Sequence, residues 1–315
     1  MANFLGLDTS NYTTSAAIYH SDTQTVSQAK KLLPVKAGQK GLRQSDAVFH
    51  HTVQLPEVLA QLETEHLTAI GVSVKPRNTE DSYMPCFLCG AGTAQMLGQA
   101  LHIPVYQTSH QTGHILAALH SAGKLDWLKR EFFAFHVSGG TTDCVLCRPV
   151  QNETLFDIQP VSSSLDLKAG QLIDRVGLML GLQFPCGAEL ETLAMQSRKH
   201  FQYKPVMKEL NCYLSGLENQ CAKMLQQTEY QPCDIALFCL TAIANVLEQM
   251  TAAAFKTTSA IPVLYAGGVM ADQYIQNHLK QSVKAETAFA EPVFSCDNAA
   301  GTAIYAYLHT CADNC

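Results

Sequence analysis

The sequence predicts an α/β protein made of two related lobes, and three observations carry that expectation. Apolar runs of strand length alternate with segments of helical apolar spacing, the pattern of a sheet covered by helices. A strand, a polar turn and a second strand occur twice with the same layout, over residues 4–19 and 132–146. The 315 residues are 47% hydrophobic and 15% charged, which is ample material for about two ordinary domains. The same balance excludes intrinsic disorder and a fibrous fold.

In chain order, the first strand begins at Phe4, turns through the hydroxyl-rich run Thr9 to Thr14, and returns as a strand ending at Tyr19. A third strand is expected over residues 25–33, followed by a basic, glycine-containing loop over residues 36–43. Ser45 and Asp46 then open a helix whose core positions are Val48, Val53, Leu55, Val58, Leu59 and Leu62. Residues 67–74 read as a buried strand and residues 75–82 as a loop. A helix over 86–101 carries the small residues Gly90, Ala91, Gly92, Ala94 and Gly98, which permit close approach. A strand over 103–107 leads into a helix opened by His110.

The second half restarts with the hairpin at Phe132. Helices are expected over 166–181, 188–195, 216–227 and 234–255. A buried strand follows over 261–265, then a Gly267-Gly268 turn, a helix from about Asp272, a last strand around Phe294 and a helix over 301–308. The N-terminus shows no basic region, apolar core or cleavage site of a secretory signal. No apolar stretch is expected to approach the roughly 18 residues of a membrane span, so the reading is a soluble, cytoplasmic protein without membrane contact.

Twelve cysteines spread over this length suit reduced, buried thiols better than a disulfide framework. Cys144 and Cys147 fall on one strand, where residues three apart point to opposite faces. Cys86 and Cys89 stand at a helix start, where they share a face and the helix dipole lowers a thiol pKa, so they are the pair with a possible redox or metal role.

Two polar hairpin turns and a Gly-Gly strand-to-helix turn suit a nucleotide. Gly139, Gly140, Gly267 and Gly268 let phosphates approach the backbone, and Thr9, Ser10 and Ser138 add hydroxyl donors. His110 and His114 lie at i and i+4 on one helix face, the spacing of two ligands of one transition metal. Asp297 is the natural third ligand, and two His with one carboxylate leave coordination positions open, as a catalytic site requires. His136 reads as a packed strand residue. Asp166 and Asp174 are expected on one amphipathic helix, either as a solvated helix edge or with Asp174 reaching a ribose hydroxyl.

Together these segments resemble the TsaD-type family, the tRNA N6-threonylcarbamoyladenosine transferases once described as sialoglycoprotease peptidases. The resemblance rests on Gly6-Leu-Asp8-Thr-Ser10, His50 followed by Leu55-Pro56, Ser109-His110-Gln-Thr-Gly-His114, Val137-Ser-Gly-Gly-Thr141, the stretch 166–174, Gly181 to Gly187, Leu214-Ser-Gly-Leu217, Ala266-Gly-Gly-Val269 and Cys296-Asp-Asn298. It implies a two-lobed actin-like ATPase fold, of the actin, sugar kinase and Hsp70 superfamily, with a central cleft between the lobes. Residues 1–120 would form one lobe, completed by the C-terminal helix at about 297–315, and residues 121–296 the other.

The resemblance further implies that His110, His114 and Asp297 hold iron or zinc. Val137, Ser138, Gly139, Gly140, Asp174, Gly187, Gly267, Gly268 and Asp272, with Thr9 and Ser10, would bind ATP or an adenylate. Asp8 and Ser10 are the catalytic candidates. The family reaction moves a threonylcarbamoyl group from its adenylate to N6 of an adenosine in tRNA and releases AMP. The chain departs from the family at four places. Asn11-Tyr12-Thr13-Thr14 stands where the family has Cys-Asp-Glu-Thr. The Gly-Pro-Gly-Leu loop is replaced around Ser82 to Pro85. Glu218 stands for a Lys, and Asp272 for an Asn.

Three alternatives follow: a catalytically silent subunit pairing with itself or a family member, an enzyme retuned to an acceptor other than tRNA, or Cys86/Cys89 redox or sulfur chemistry. With 21 Lys and Arg against 27 Asp and Glu, the net charge of −6 is a poor match to gripping nucleic acid alone. A tRNA substrate would need the basic run 36–43 or a basic partner protein.

Overall fold

The computed structural model describes residues 2–10, 12–34, 42–79, 81–150, 155–295 and 298–313. Two compact units emerge: Met1–Gly123 with Val293–Cys315, and Lys124–Pro292.

Unit 1 begins with β1 (Asn3–Ser10), β2 (Thr13–His20) and β3 (Thr25–Leu32), an antiparallel meander. β1 and β2 are buried along almost their whole length, which is why neither shows the alternation of a half-exposed strand. β3 is an edge strand, and Lys30 and Lys31 sit where charge protects an open edge. Next come α1 (Gln44–Leu59), β4 (Leu67–Lys75), α2 (Phe87–Leu101), β5 (Val105–Ser109) and α3 (His110–Ser121). The sheet order is β3-β2-β1-β4-β5, with β1, β4 and β5 parallel. Leu5, Leu7, Ile18, Ile70 and Val72 pack on Leu55 and Val58 of α1.

Unit 2 carries β6 (Phe132–Val137), β7 (Thr142–Pro149), β8 (Phe156–Ser163), α4 (Ala169–Met179), α5 (Gly187–Ala194), a small pair β9 (Val206–Lys208) and β10 (Asn211–Tyr213), α6 (Ser215–Leu225), α7 (Pro232–Ala254), β11 (Val263–Ala266), α8 (Gln273–Ser282) and β12 (Thr287–Phe289). Its sheet order, β12-β11-β6-β7-β8, repeats that of unit 1, with a leading meander and two further parallel strands. α9 (Ala300–Asp313) then returns to unit 1 and packs on α3 and the sheet. Glycine makes that contact possible: a side chain at Gly71 would collide with the Thr302 carbonyl, and one at Gly301 with that of Gly113.

Four expectations are corrected. Asp166 is not helical; α4 begins at Ala169, and the Asp166 carboxylate instead accepts the Leu214 and Ser215 N–H groups at 2.8 and 3.1 Å, ahead of and at the start of α6. Phe294 lies in a short 3-10 turn, and the last strand is β12. β8, β9 and β10 went unforeseen, because β8 carries Asp157, Gln159 and Pro160 and gains its ladder only by pairing with β7. Finally, α7 is long and apolar enough to cross a membrane by length and composition. In the fold it is a core helix, buried along most of its length and started by Pro232 and a Gln231–Asp234 capping box.

Candidate functional site

In unit 1 the candidate residues gather at the carboxyl ends of the parallel strands β1, β4 and β5, where α/β sheets place their ligands. Ser109 caps α3 by accepting the Thr112 N–H at 3.1 Å, which sets His110 and His114 on the first two turns. Their Nε2 atoms lie 2.9 Å apart, with the rings nearly perpendicular. Behind them Asp8, 1% exposed, accepts His110 Nδ1–H on Oδ2 at 2.7 Å. The same Oδ2 accepts the Ser73 hydroxyl at 2.7 Å, and Oδ1 accepts the Ser10 N–H at 2.9 Å. Ser10 lies two residues beyond Asp8 on β1, hence on the same face. Its hydroxyl is buried without a hydrogen-bond partner.

The neighbouring Thr9 points the other way. Its hydroxyl donates to the Cys86 carbonyl at 3.0 Å and accepts the Gly90 N–H at 3.1 Å, tying β1 to α2. The expectation of a low-pKa thiol at Cys86 is overturned: the side chain is fully buried, and burial pushes its pKa up to about 11. Cys89 Sγ is turned to the Val48 carbonyl at 3.4 Å, against α1.

Sequence reasoning missed His51 of α1. It is fully buried, and its Nδ1 lies 2.8 Å from the Thr14 hydroxyl. That hydroxyl gives its proton to Gln54 Oε1 at 2.8 Å, so His51 Nδ1 must be the donor to it and Nε2 the bare nitrogen. His51 Nε2 has no partner, and burial pushes the imidazole down to about 4. The signal was faint in the sequence, since a His next to His50 on a helix reads as surface.

In unit 2 the β6–β7 turn is built around Ser138, whose Oγ accepts the Gly140 and Thr141 N–H groups at 3.2 and 3.1 Å. The Ser138 carbonyl accepts the Gly170 N–H at 3.1 Å, and Thr142 Oγ1 accepts that of Ala169 at 2.9 Å, so the turn also caps α4. A Cβ at Gly139 or Gly140 would meet nothing within 4 Å. Gly267, at φ 102°, presses on the Val137 carbonyl where no other residue fits, which brings the Gly267-Gly268 turn beside the first. Asp174 of α4 accepts the Cys186 N–H at 2.9 Å, fixing the loop that delivers Gly187 to α5. From α5, Glu191 accepts the Gln273 N–H at 2.8 Å. Asp272 caps α8 through Ile275 N–H at 2.9 Å, while its Oδ2 is buried without a partner; burial lifts the carboxyl to about 6. The predicted nucleotide residues of this unit thus come together around two glycine turns and three helix starts.

Comparison with known proteins decides the relationship. The model of the TsaD family, tRNA N6-adenosine threonylcarbamoyltransferase, matches residues 28–304. The chain belongs to the TsaD family. Among curated relatives of that name, the protein of Thermosipho melanesiensis is 28% identical, over 96% of this chain and 93% of the relative. That of Streptococcus gordonii is 26% identical, over 96% and 90%.

Solved structures match the actin-like fold expected of this TsaD-family chain. It is similar to the activator of 2-hydroxyisocaproyl-CoA dehydratase from Clostridium difficile with bound ADPNP, at TM-score 0.54 and 13% identity over 99% and 97% of the chains. HypF of T. kodakarensis gives 0.58 at 11% identity, over 98% of this chain and 48% of the other. A ROK family glucokinase from Streptomyces griseus in complex with glucose and AMPPNP gives 0.51 at 11%, over 97% and 99%. Asn11, positions 36–41 of the expected basic loop, and Asp297, expected as the third metal ligand, lie outside the described residues. Among the described residues no group of three or more His, Cys, Asp or Glu is placed to hold a metal.

Proposed function

We propose that this TsaD-family chain transfers a threonylcarbamoyl or related carbamoyl group from an adenylate to an amine acceptor, N6 of adenosine in tRNA being the one named for its relatives. The observation that carries the reading is the pair of imidazole nitrogens held 2.9 Å apart at the strand ends and backed by Asp8. Two nitrogens each about 2.1 Å from one ion stand about 3.0 Å apart at a right angle and about 3.4 Å apart at a tetrahedral one. The His110–His114 spacing fits a shared ion after a movement of tenths of an ångström. His110, His114 and Asp297 would hold it, and a divalent ion there supplies a Lewis acid that polarises an oxygen of the donor.

The chain's own groups perform the remaining tasks. Ser10 keeps a buried hydroxyl uncommitted, ready to donate to an oxygen of the carbamoyl group as charge gathers on it. Asp8, with both oxygens engaged, acts through His110 rather than on the substrate. In unit 2, Ser138 Oγ already occupies the position of an acceptor oxygen at two backbone N–H groups, and a phosphate oxygen replacing it would find them in place. The open sides of Gly139, Gly140 and Gly268 admit that phosphate, and Asp174 keeps its second oxygen for a ribose hydroxyl. As the amine nitrogen bonds to the carbonyl carbon, the bond from that carbon to the phosphate oxygen would break with its electron pair leaving on AMP, and the amine proton would pass to solvent.

The test is to offer metal-loaded protein threonylcarbamoyl-adenylate and tRNA, then digest and weigh the nucleosides. Product that disappears in His110→Ala and His114→Ala is expected. Adenylate binding without product, with or without a family partner, would favour a second reading, a silent nucleotide-binding subunit. Tyr12 and Thr13, in place of the family's acidic pair, support that alternative.

A further inference from the structure

A hydrogen-bond chain, buried at Ser73 and Asp8 and partly exposed at its histidines, crosses unit 1 from β4 to α3. Ser73, on β4, is fully buried and donates its hydroxyl to Asp8 Oδ2 at 2.7 Å. That oxygen also receives His110 Nδ1 at 2.7 Å, and His110 Nε2 meets His114 Nε2 at 2.9 Å. The directions of these bonds follow from the chemistry of each group. An ionised carboxylate only accepts, so the hydrogens on both contacts belong to Ser73 and to His110 Nδ1. A neutral His110 then carries its single proton on Nδ1 and presents a bare Nε2, to which His114 Nε2–H donates. Without a carboxylate at Nδ1, the two tautomers of the ring would compete, and only one has its lone pair toward His114.

We propose that Ser73 and Asp8 are a positioning pair that keeps the His110 proton on Nδ1, so that Nε2 stays bare as a ligand for a divalent cation shared with His114. The cation rests on the function proposed above; the tautomer does not. Ser73 matters because it orients the carboxylate. Asp8 Oδ1 is held by the Ser10 N–H, and Ser73 at Oδ2 stops the remaining rotation that would move this oxygen off the imidazole. Ser73 and Asp8 touch neither ligand atom toward the ion, so both act only through His110. Partners of this kind, behind a metal-binding imidazole, commonly set affinity by about 10–100-fold.

The experiment uses full-length protein labelled with 15N-histidine and the variants Asp8→Asn, Ser73→Ala and Ser73→Thr. Long-range 1H–15N spectra of the metal-free protein report which ring nitrogen of His110 carries hydrogen, and competition with a chromogenic chelator gives zinc and cobalt affinities. Wild type is expected to show His110 as the Nδ1–H form. Asp8→Asn should mix the tautomers and weaken metal binding by about 10–100-fold. Ser73→Ala should weaken it by about 3–10-fold, a smaller step because it acts one bond further away, and Ser73→Thr should restore it by keeping the hydroxyl. A His110 found as the Nε2–H form in wild type, or a tautomer unchanged in both Asp8→Asn and Ser73→Ala, overturns the proposal. If no metal binds at all, the metal reading fails, and with it the ligand half of this proposal, while the spectra still decide the tautomer.

Discussion

Replacing Asp272 by Asn isolates the cost of a buried charge at the start of α8. Asp272 Oδ1 caps the helix, but Oδ2 is buried with nothing to pair with. Burial, assisted by the nearby Glu191, lifts the carboxyl from 3.8 to about 6. That gap corresponds to about 3 kcal/mol. The folded state holds the proton more tightly than the unfolded chain, so this contribution is fully present below about pH 4 and is lost as pH rises through about 6. Asn caps as well as Asp and carries no charge to desolvate. Its amide N–H2, in the place of Oδ2, returns about 1 kcal/mol or more of the gain if it finds no acceptor. D272N is therefore expected to be about 1–2 kcal/mol more stable than wild type at pH 8, a rise of roughly 2–8 °C in Tm at about 2–4 °C per kcal/mol for a unit of this size. At pH 4.5 the advantage should vanish. Thermal and urea unfolding of both proteins at pH 4.5, 6 and 8 measure the difference. Parallel pH curves, or a D272N protein less stable at pH 8, would refute the reasoning.

His51 should show the opposite slope. Its folded value, near 4, lies below the ordinary 6.5, so its contribution of about 3 kcal/mol is present above about pH 6.5 and is lost as pH falls toward 4. His51→Gln should flatten the acid side of the urea-midpoint profile while costing about 1–3 kcal/mol at pH 7, where the Thr14 hydroxyl loses one of its two partners. Gly71→Ala should destabilise by about 3 kcal/mol or more in urea titrations, since the obstructing atom is a backbone carbonyl of α9 rather than a flexible side chain. Cys86 should resist alkylation at pH 8 in folded protein, whereas the exposed Cys311 reacts within minutes; peptide mapping that finds both labelled together would contradict the burial of Cys86.

The hairpins at β1–β2 and β6–β7 were legible because a strand, a hydroxyl or glycine turn and a strand are local patterns. The His110–His114 pair was legible for the same reason: helical spacing alone puts i and i+4 on one face. β8 was not, because an edge strand with Asp157, Gln159 and Pro160 carries no apolar signature and exists by pairing with β7. Asp166 was read into a helix because its spacing from Asp174 looked amphipathic, while in the fold its carboxylate serves backbone N–H groups about fifty residues away. The apolar length of α7 was underestimated, and only the packing around it shows why that length belongs in a core.

The sequence by itself determined the α/β class, the repeated hairpin, the paired histidines and the glycine turns, since each is set by side-chain periodicity or by backbone freedom within a few residues. The tertiary structure decided what those residues are able to do. Asp8 meets Ser73 and His110 only because β1, β4 and β5 run parallel in a given register, and the His110 proton takes its place on Nδ1 as a result. Cys86 and Cys89 show the converse: a spacing that suggests chemistry, silenced at Cys86 by burial. The contacts that set the His110 proton join Asp8 to residues 65 and 102 positions away, which pairing and packing choose and local sequence does not encode.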